Sequence, residues 1–146
     1  MKTLMIAGLM TAMAGVAAAE VVQKPSPLSV TDTMDRLEAQ VTDAGATIFA
    51  RVNHTEGAMK VDMTLREEEL LIFGNPRLGT PAMQDDPLAG LALPLRVLVY
   101  DGGDGTIVAY ETVGTLFDGL AIPADAAYRD QIAGALDKLT DAATSD

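Results

Sequence analysis

Apolar and polar residues follow two different rhythms along this chain. Between residues 29 and 44 the apolar positions Val30, Met34, Leu37 and Val41 fall at i, i+4, i+7 and i+11, one stripe of an amphipathic helix. Ser29 stands at its start as an N-cap, with Asp32 three residues on, and Gly45 stands just past its end. A second stripe, Tyr128, Ile132, Leu136, Leu139 and Ala143, predicts a helix over 124–143 that starts near Pro123 or Ala124. Between the two, the period shortens. Thr47 to Asn53 alternates, with Ile48, Ala50 and Val52 on one face and Thr47, Phe49 and Arg51 on the other, as in a half-buried strand.

Further strands are expected at Val21–Gln23, ended by Lys24-Pro25, and at Leu70–Gly74, Leu95–Tyr100 and Thr106–Glu111. Asp101-Gly-Gly-Asp-Gly joins the last two as a hairpin turn. Residues 54–69 read either as an extended segment, from the alternation of Met59, Val61, Met63 and Leu65, or as one short helical turn over His54–Lys60. Glu67-Glu68-Glu69 reads as a solvated turn, and Pro87–Pro94 as a loop with one apolar patch. A short helix is expected over Thr80–Asp86, with Thr80 as N-cap and Pro81 at its first position. Two long amphipathic helices and one mostly antiparallel sheet predict an α+β layer fold with both helices on one sheet face.

The first 19 residues fall outside that plan. Lys2, the apolar run Leu4–Val16 and Ala17-Ala18-Ala19 form the three parts of a secretory signal peptide, with Glu20 as the first mature residue. The expectation is therefore a leader at 1–19 and one α+β domain at 20–146, periplasmic or secreted, with no membrane attachment after cleavage. Removing 19 of 146 residues leaves 127, enough for one core. Only Lys2 among the charged residues leaves with the leader, so 9 basic residues face 21 acidic ones, a net −12. Such a surface repels nucleic acid and anionic lipid, and nucleic-acid binding is excluded on that ground. Cysteine is absent, which removes thiol catalysis, thiolate metal sites and acylation as a lipoprotein.

The densest segment is Glu69-Leu-Leu-Ile-Phe-Gly-Asn-Pro-Arg-Leu-Gly-Thr-Pro81, followed by Met83-Gln84. With Asn53-His54, Gly90-Leu91, Leu93 to Tyr100 and the two flanking helices, it resembles the uncharacterised family numbered 302 among the domains of unknown function. The resemblance covers nearly all of 20–146. It implies a TATA-binding-protein-like α+β fold, a compact domain that pairs through its sheet, and no reaction. A fold name of that kind carries no implication of DNA binding.

Candidate chemistry gathers at a few positions. Asn75, Arg77, Thr80 and Arg96, with His54 beyond them, form the candidate ligand set. Arg96 shares a strand face with Leu98 and Tyr100, opposite Leu95, Val97 and Val99, and needs a partner there. One reading is capture of a small anion, a carboxylate or phosphate, by Arg96 and Arg77 at the Thr80 helix N-terminus. The other is internal pairing of Arg96 with Asp101, Glu111 or backbone carbonyls. His54, the one histidine, with Met59 and Met63 offers a soft donor set that suits Cu(I), and non-covalent haem on His54 is a related option. The plainer alternative is that both methionines fill gaps against the sheet. His54-Thr55-Glu56 matches half of a zinc deaminase motif, but the further ligands are lacking. Ser26, Ser29 and Ser145, the serines beyond the leader, lie in no nucleophile context.

The functional expectation is an exported, non-catalytic binding or accessory domain, with a small anion as its ligand. The alternatives are a small enzyme using His54 with Arg96 or Arg77, a periplasmic copper or haem protein, and a purely structural homodimer. The homodimer follows from a sheet with helices on one face only, whose other face would carry Phe49, Leu98 and Tyr100.

Overall fold

A computed structural model describes residues 20–145, so the leader expected at 1–19 lies outside the described residues. Five strands are β1 (Val21–Ser26), β2 (Thr47–Asn53), β3 (Glu68–Gly74), β4 (Leu95–Asp101) and β5 (Thr106–Glu111). The helices are α1 (Val30–Asp43), α2 (His54–Met59), α3 (Pro76–Asp85), α4 (Ala89–Ala92), α5 (Val113–Leu116) and α6 (Ala127–Thr144). The strands form one sheet in the order β1-β5-β4-β3-β2, and every neighbouring pair is antiparallel. β1 and β2 are thus opposite edges, although only α1 separates them in sequence. That helix must cross the sheet, and its path creates the helical layer.

α1 starts where Ser29 Oγ accepts the Asp32 amide at 3.0 Å and ends before Gly45, whose φ of +72° suits glycine. Its predicted stripe, Val30, Met34, Leu37 and Val41, is buried, joined by Thr33. α6 buries Tyr128, Ile132, Leu136, Leu139 and Ala143, all five residues of the predicted stripe. Beneath them, Leu71 and Phe73 of β3, Val97 and Val99 of β4 and Val108 of β5 are buried as well. The two long helices therefore share one sheet face, an α+β architecture as expected.

Several local expectations give way to tertiary context. β1 continues through Pro25 to Ser26, because an edge strand tolerates a residue without an amide proton. α3 begins at Pro76 rather than Thr80. Asn75 is the cap, its side-chain oxygen accepting the Arg77 amide at 3.0 Å, and Pro81 sits inside the helix. Within 54–69 the helical alternative holds over His54–Met59, and no strand forms over 60–67. Glu67-Glu68-Glu69 is not a solvated turn: β3 starts at Glu68, and Glu69 is 6% exposed. α4 and α5, one turn each, were not expected, and α6 begins at Ala127, later than Pro123.

β2 carries the largest departure. A bulge between Ile48 and Ala50 inserts Phe49 as an extra residue, which reverses the alternation of everything after it. Ile48 pairs with Phe73 and Arg51 with Leu71, so both face the helices, whereas Ala50 and Val52 face the open side opposite Ile72 and Leu70. The reversal brings Arg51 under α1. Its guanidinium reaches Glu69 at 2.5 Å, Asp35 at 2.5 Å and Glu38 at 3.1 Å, which explains how a carboxylate can be buried at Glu69.

The other edge has a matching contact. Lys24 of β1 reaches Asp141 at 2.7 Å and Asp137 at 3.2 Å on α6, and Thr140 Oγ1 at 3.0 Å. Burial alone would lower the Lys24 pKa, but the bonds to Asp141 and Asp137 outweigh it and raise the pKa overall.

Leu37→Asp tests this core. The substitution places a charge without a partner on the fully buried α1 stripe and should cost several kcal/mol, on the order of 3–5. Urea denaturation would read the loss directly. A midpoint unchanged from wild type would refute the stripe assignment.

Candidate functional site

The end of β3 is where the layers separate. After Phe73 the chain passes through Gly74 and Asn75 into α3, while α6 continues overhead and the α1–β2 turn lies alongside. The gap between them is a pocket of about 370 Å³, open on one side. Phe73, Leu95, Ile132 and Leu139 supply its inner wall. Ala44 and Ala46 flank it from the turn, and Ala135 from α6 leaves room that a larger side chain would fill. Gly74 and Gly79 have the same effect from below. A Cβ on Gly74 would stand 3.5 Å from Pro94 Cβ and 3.6 Å from the Phe49 ring, and one on Gly79 would stand 3.4 Å from Leu93.

Phe49, the bulge residue, lines the pocket while remaining 59% exposed, so its ring forms part of the rim. Met83 of α3 also lines it and is exposed. Asn75 and Thr80 are the polar side chains of the lining, and no ionisable side chain contributes to it. An apolar hollow with a few polar groups at its edge is the usual form of a small-molecule site.

The amides at the start of α3 are already engaged. Pro76 has none, Arg77 donates to Asn75 Oδ1, and Leu78 and Gly79 donate to the Asn75 carbonyl at 2.9 and 3.0 Å. Thr80 lies in the middle of the helix, so the anion cradle expected at a Thr80 N-terminus is not formed.

The structure divides the candidate residues among three places. Asn75 and Thr80 line the pocket, and Arg77 is exposed on the first turn of α3 without lining it. Arg96 lies on the uncovered sheet face, 45% exposed, where its guanidinium donates to Glu111 at 3.1 Å. Glu111 was one of the internal partners open to it from sequence. His54 opens α2, exposed, and Met59 and Met63 are 61% and 66% exposed. Neither methionine fills a gap against the sheet. Among the described residues, no group of three or more His, Cys, Asp or Glu is placed to hold a metal.

Sequence reasoning found the floor of the pocket in the Gly74–Thr80 segment and missed its walls. Ile132 and Leu139 read as ordinary stripe residues, and Phe49 as a residue of the open sheet face. The available signal was the small side chain of Ala135, beside that stripe.

α6 is fixed against α3 by a polar contact close to the pocket. The Tyr128 hydroxyl donates to Asp85 Oδ2 at 2.7 Å, and its ring meets Phe117 edge-on with centroids 6.4 Å apart. Desolvation of the phenol, then the hydrogen bond to Asp85, pushes its pKa up from 10.0 to about 12.

A five-stranded antiparallel sheet roofed on one side by two helices, with an apolar pocket where the sheet ends, defines a two-layer α+β domain. A family model described as "Domain of unknown function DUF302" matches residues 22–143, and the chain belongs to that family. The crystal structure of an uncharacterised conserved DUF302 protein from Bacillus stearothermophilus superposes with a TM-score of 0.76. It covers 84% of this chain and 97% of its own, at 18% identity, and so shares the fold. In sequence, 79 residues are 42% identical to a fluoride-specific ion channel, FluC 1, of Brucella suis, covering 54% of this chain and 31% of that protein. A FluC 2 channel of Brucella melitensis matches at the same identity over 29% of its length. The chain spans about a third of the length of the curated relatives it matches. Among the described residues, no helix is long and apolar enough to cross a membrane.

The Tyr128 contact gives a pH signature. A tyrosine whose folded pKa exceeds its unfolded value contributes stability that is complete below pH 10 and lost as pH rises through about 12. The melting temperature of wild type should therefore fall more steeply between those pH values than that of Tyr128→Phe. Parallel curves would contradict the assignment of the contact.

Proposed function

We propose that this protein is an exported, non-catalytic binding domain that uses the pocket at the β3–α3 junction to hold a small molecule. The observation that carries the reading is the pocket lining. It has the volume of a small-molecule site, yet no titratable side chain lines it, and Asn75 and Thr80 are its polar residues. The export half of the proposal rests on the leader sequence at 1–19. The accessory character draws support from the channel relatives, in which the matching stretch is a minority of a longer protein.

The uncovered sheet face supports a second element of the proposal, self-association. Leu70, Ile72, Leu98 and Ile107 lie on that face, with Arg96 and Glu111 paired among them. An antiparallel sheet commonly exposes one face, but such a face is then mostly polar. A second copy laid against this one would remove those side chains from water.

Two measurements test these readings. The mass of protein purified without denaturation from its exporting host should exceed the chain mass by that of a bound molecule, and the chain should begin at Glu20. A bare mass together with a retained leader would reject export and binding. Sedimentation velocity should show a dimer that dissociates on dilution; a monomer at all working concentrations would remove the self-association element.

A further inference from the structure

Resting on the binding reading above, we infer that the pocket selects a small, uncharged, predominantly apolar molecule with one hydrogen-bonding group near Asn75 and Thr80. The size follows from the pocket. Its volume of about 370 Å³ lies near the lower end of the roughly 300–1,000 Å³ of small-molecule sites. The apolar character follows from the wall, where Phe73, Leu93, Leu95, Ile132 and Leu139 meet the occupant with carbon.

Three observations set the charge. First, no cation lines the pocket, and Arg96, the arginine best suited to an anion from its sequence context, is engaged by Glu111 on the uncovered sheet face. Second, the start of α3 has no spare amide. A charged carboxylate or phosphate placed there would lose water and gain neither a cation nor a backbone amide, only the neutral donors of Asn75 and Thr80, which leaves its charge poorly compensated. Third, no carboxylate lines the pocket either, so a cationic head gains nothing inside it. The net charge of −11 adds a repulsive field for any anion approaching from solution.

What remains favourable is a neutral polar group. Asn75 spends its side-chain oxygen on the Arg77 amide and keeps its NH₂ as a donor, and Thr80 offers a hydroxyl. A hydroxyl or carbonyl on the ligand can meet either of them. At the rim, Met83 and Phe49 are exposed, and the unbranched thioether of Met83 can adjust to occupants of different shape.

Chain-matched probes separate the possibilities: 1-decanol, decanoate, decyltrimethylammonium and inorganic phosphate, each below its aggregation limit. Binding is measured by isothermal calorimetry and by the shift in melting temperature. Decanol should bind with a negative heat-capacity change, the mark of apolar burial. Decanoate and the ammonium should bind at least about tenfold more weakly, and phosphate not measurably. Ala135→Phe and Gly79→Leu should each fill the pocket and abolish decanol binding while leaving the melting temperature of the free protein near wild type. Asp104→Asn, in the β4–β5 turn, should bind as wild type does.

Decanol binding that persists in both filling variants would overturn the inference. So would tighter binding of decanoate or of the ammonium than of decanol. Binding of phosphate or decanoate without decanol would sink the inference and leave the broader binding reading standing. If none of the four binds, the inference falls, and the mass of the natively purified protein decides whether the broader reading falls with it.

Discussion

The whole arrangement depends on burying one sheet face, and one only, beneath two helices. Leu37 and Val41 of α1 and Ile132 and Leu136 of α6 close over Leu71, Val97, Val99 and Val108, and all eight are buried. At about 1.5–3 kcal/mol for each large side chain removed from water, this layer supplies most of the drive to fold. Its one-sidedness has two consequences. The opposite face retains Leu70, Ile72, Leu98 and Ile107 without a helical cover. The layer also stops covering the sheet where β3 turns into α3, and the pocket is the space left at that boundary.

Each edge strand is joined to the helix above it by one cation. Lys24 of β1 reaches Asp137 and Asp141 of α6, and Arg51 of β2 reaches Asp35 and Glu38 of α1 together with Glu69 of β3. Both basic side chains sit on the helix-facing side of their strands, so an acidic chain spends scarce positive charge at the margins of its core. Such half-exposed contacts add modest stability individually. Their larger effect is on register. The bulge at Phe49 is what turns Arg51 inward, and an unbulged β2 would leave Glu69 buried without its partner. The same bulge places Phe49 at the rim of the pocket, so one local irregularity shapes both the edge contact and the candidate site.

Much of the fold was legible because its two stripes are strong. Val30, Met34, Leu37 and Val41, and Tyr128, Ile132, Leu136, Leu139 and Ala143, are buried as their spacing required. The Gly-rich turn after Asp101 placed the β4–β5 hairpin, and the Gly74–Thr80 segment pointed to the end of the sheet where the pocket lies. What failed depended on distant partners. No local pattern reveals a bulge, so the faces of β2 were reversed. Glu69 looked solvated because its partner, Arg51, is 18 positions away. Arg77, Thr80 and Arg96 looked like one anion site because sequence proximity and strand ends suggested it. The structure separates Arg96 to the uncovered face and leaves Arg77 outside the lining. Leu139 could not be read as a pocket wall, since a residue facing a hollow and one facing a neighbour have the same periodicity.

The central claim is that the ligand seat is the end of the helical layer and not the uncovered sheet face. Methyl and amide NMR spectra recorded during titration with 1-decanol test it most directly, because each resonance reports its own surroundings. The account predicts shifts confined to the pocket lining, among them Gly74, Asn75, Gly79, Thr80, Met83, Ile132, Ala135 and Leu139, with Leu70, Leu98 and Ile107 unmoved. Shifts concentrated at Leu70, Leu98 and Ile107, with the residues around Gly79 and Ala135 unaffected, would contradict it.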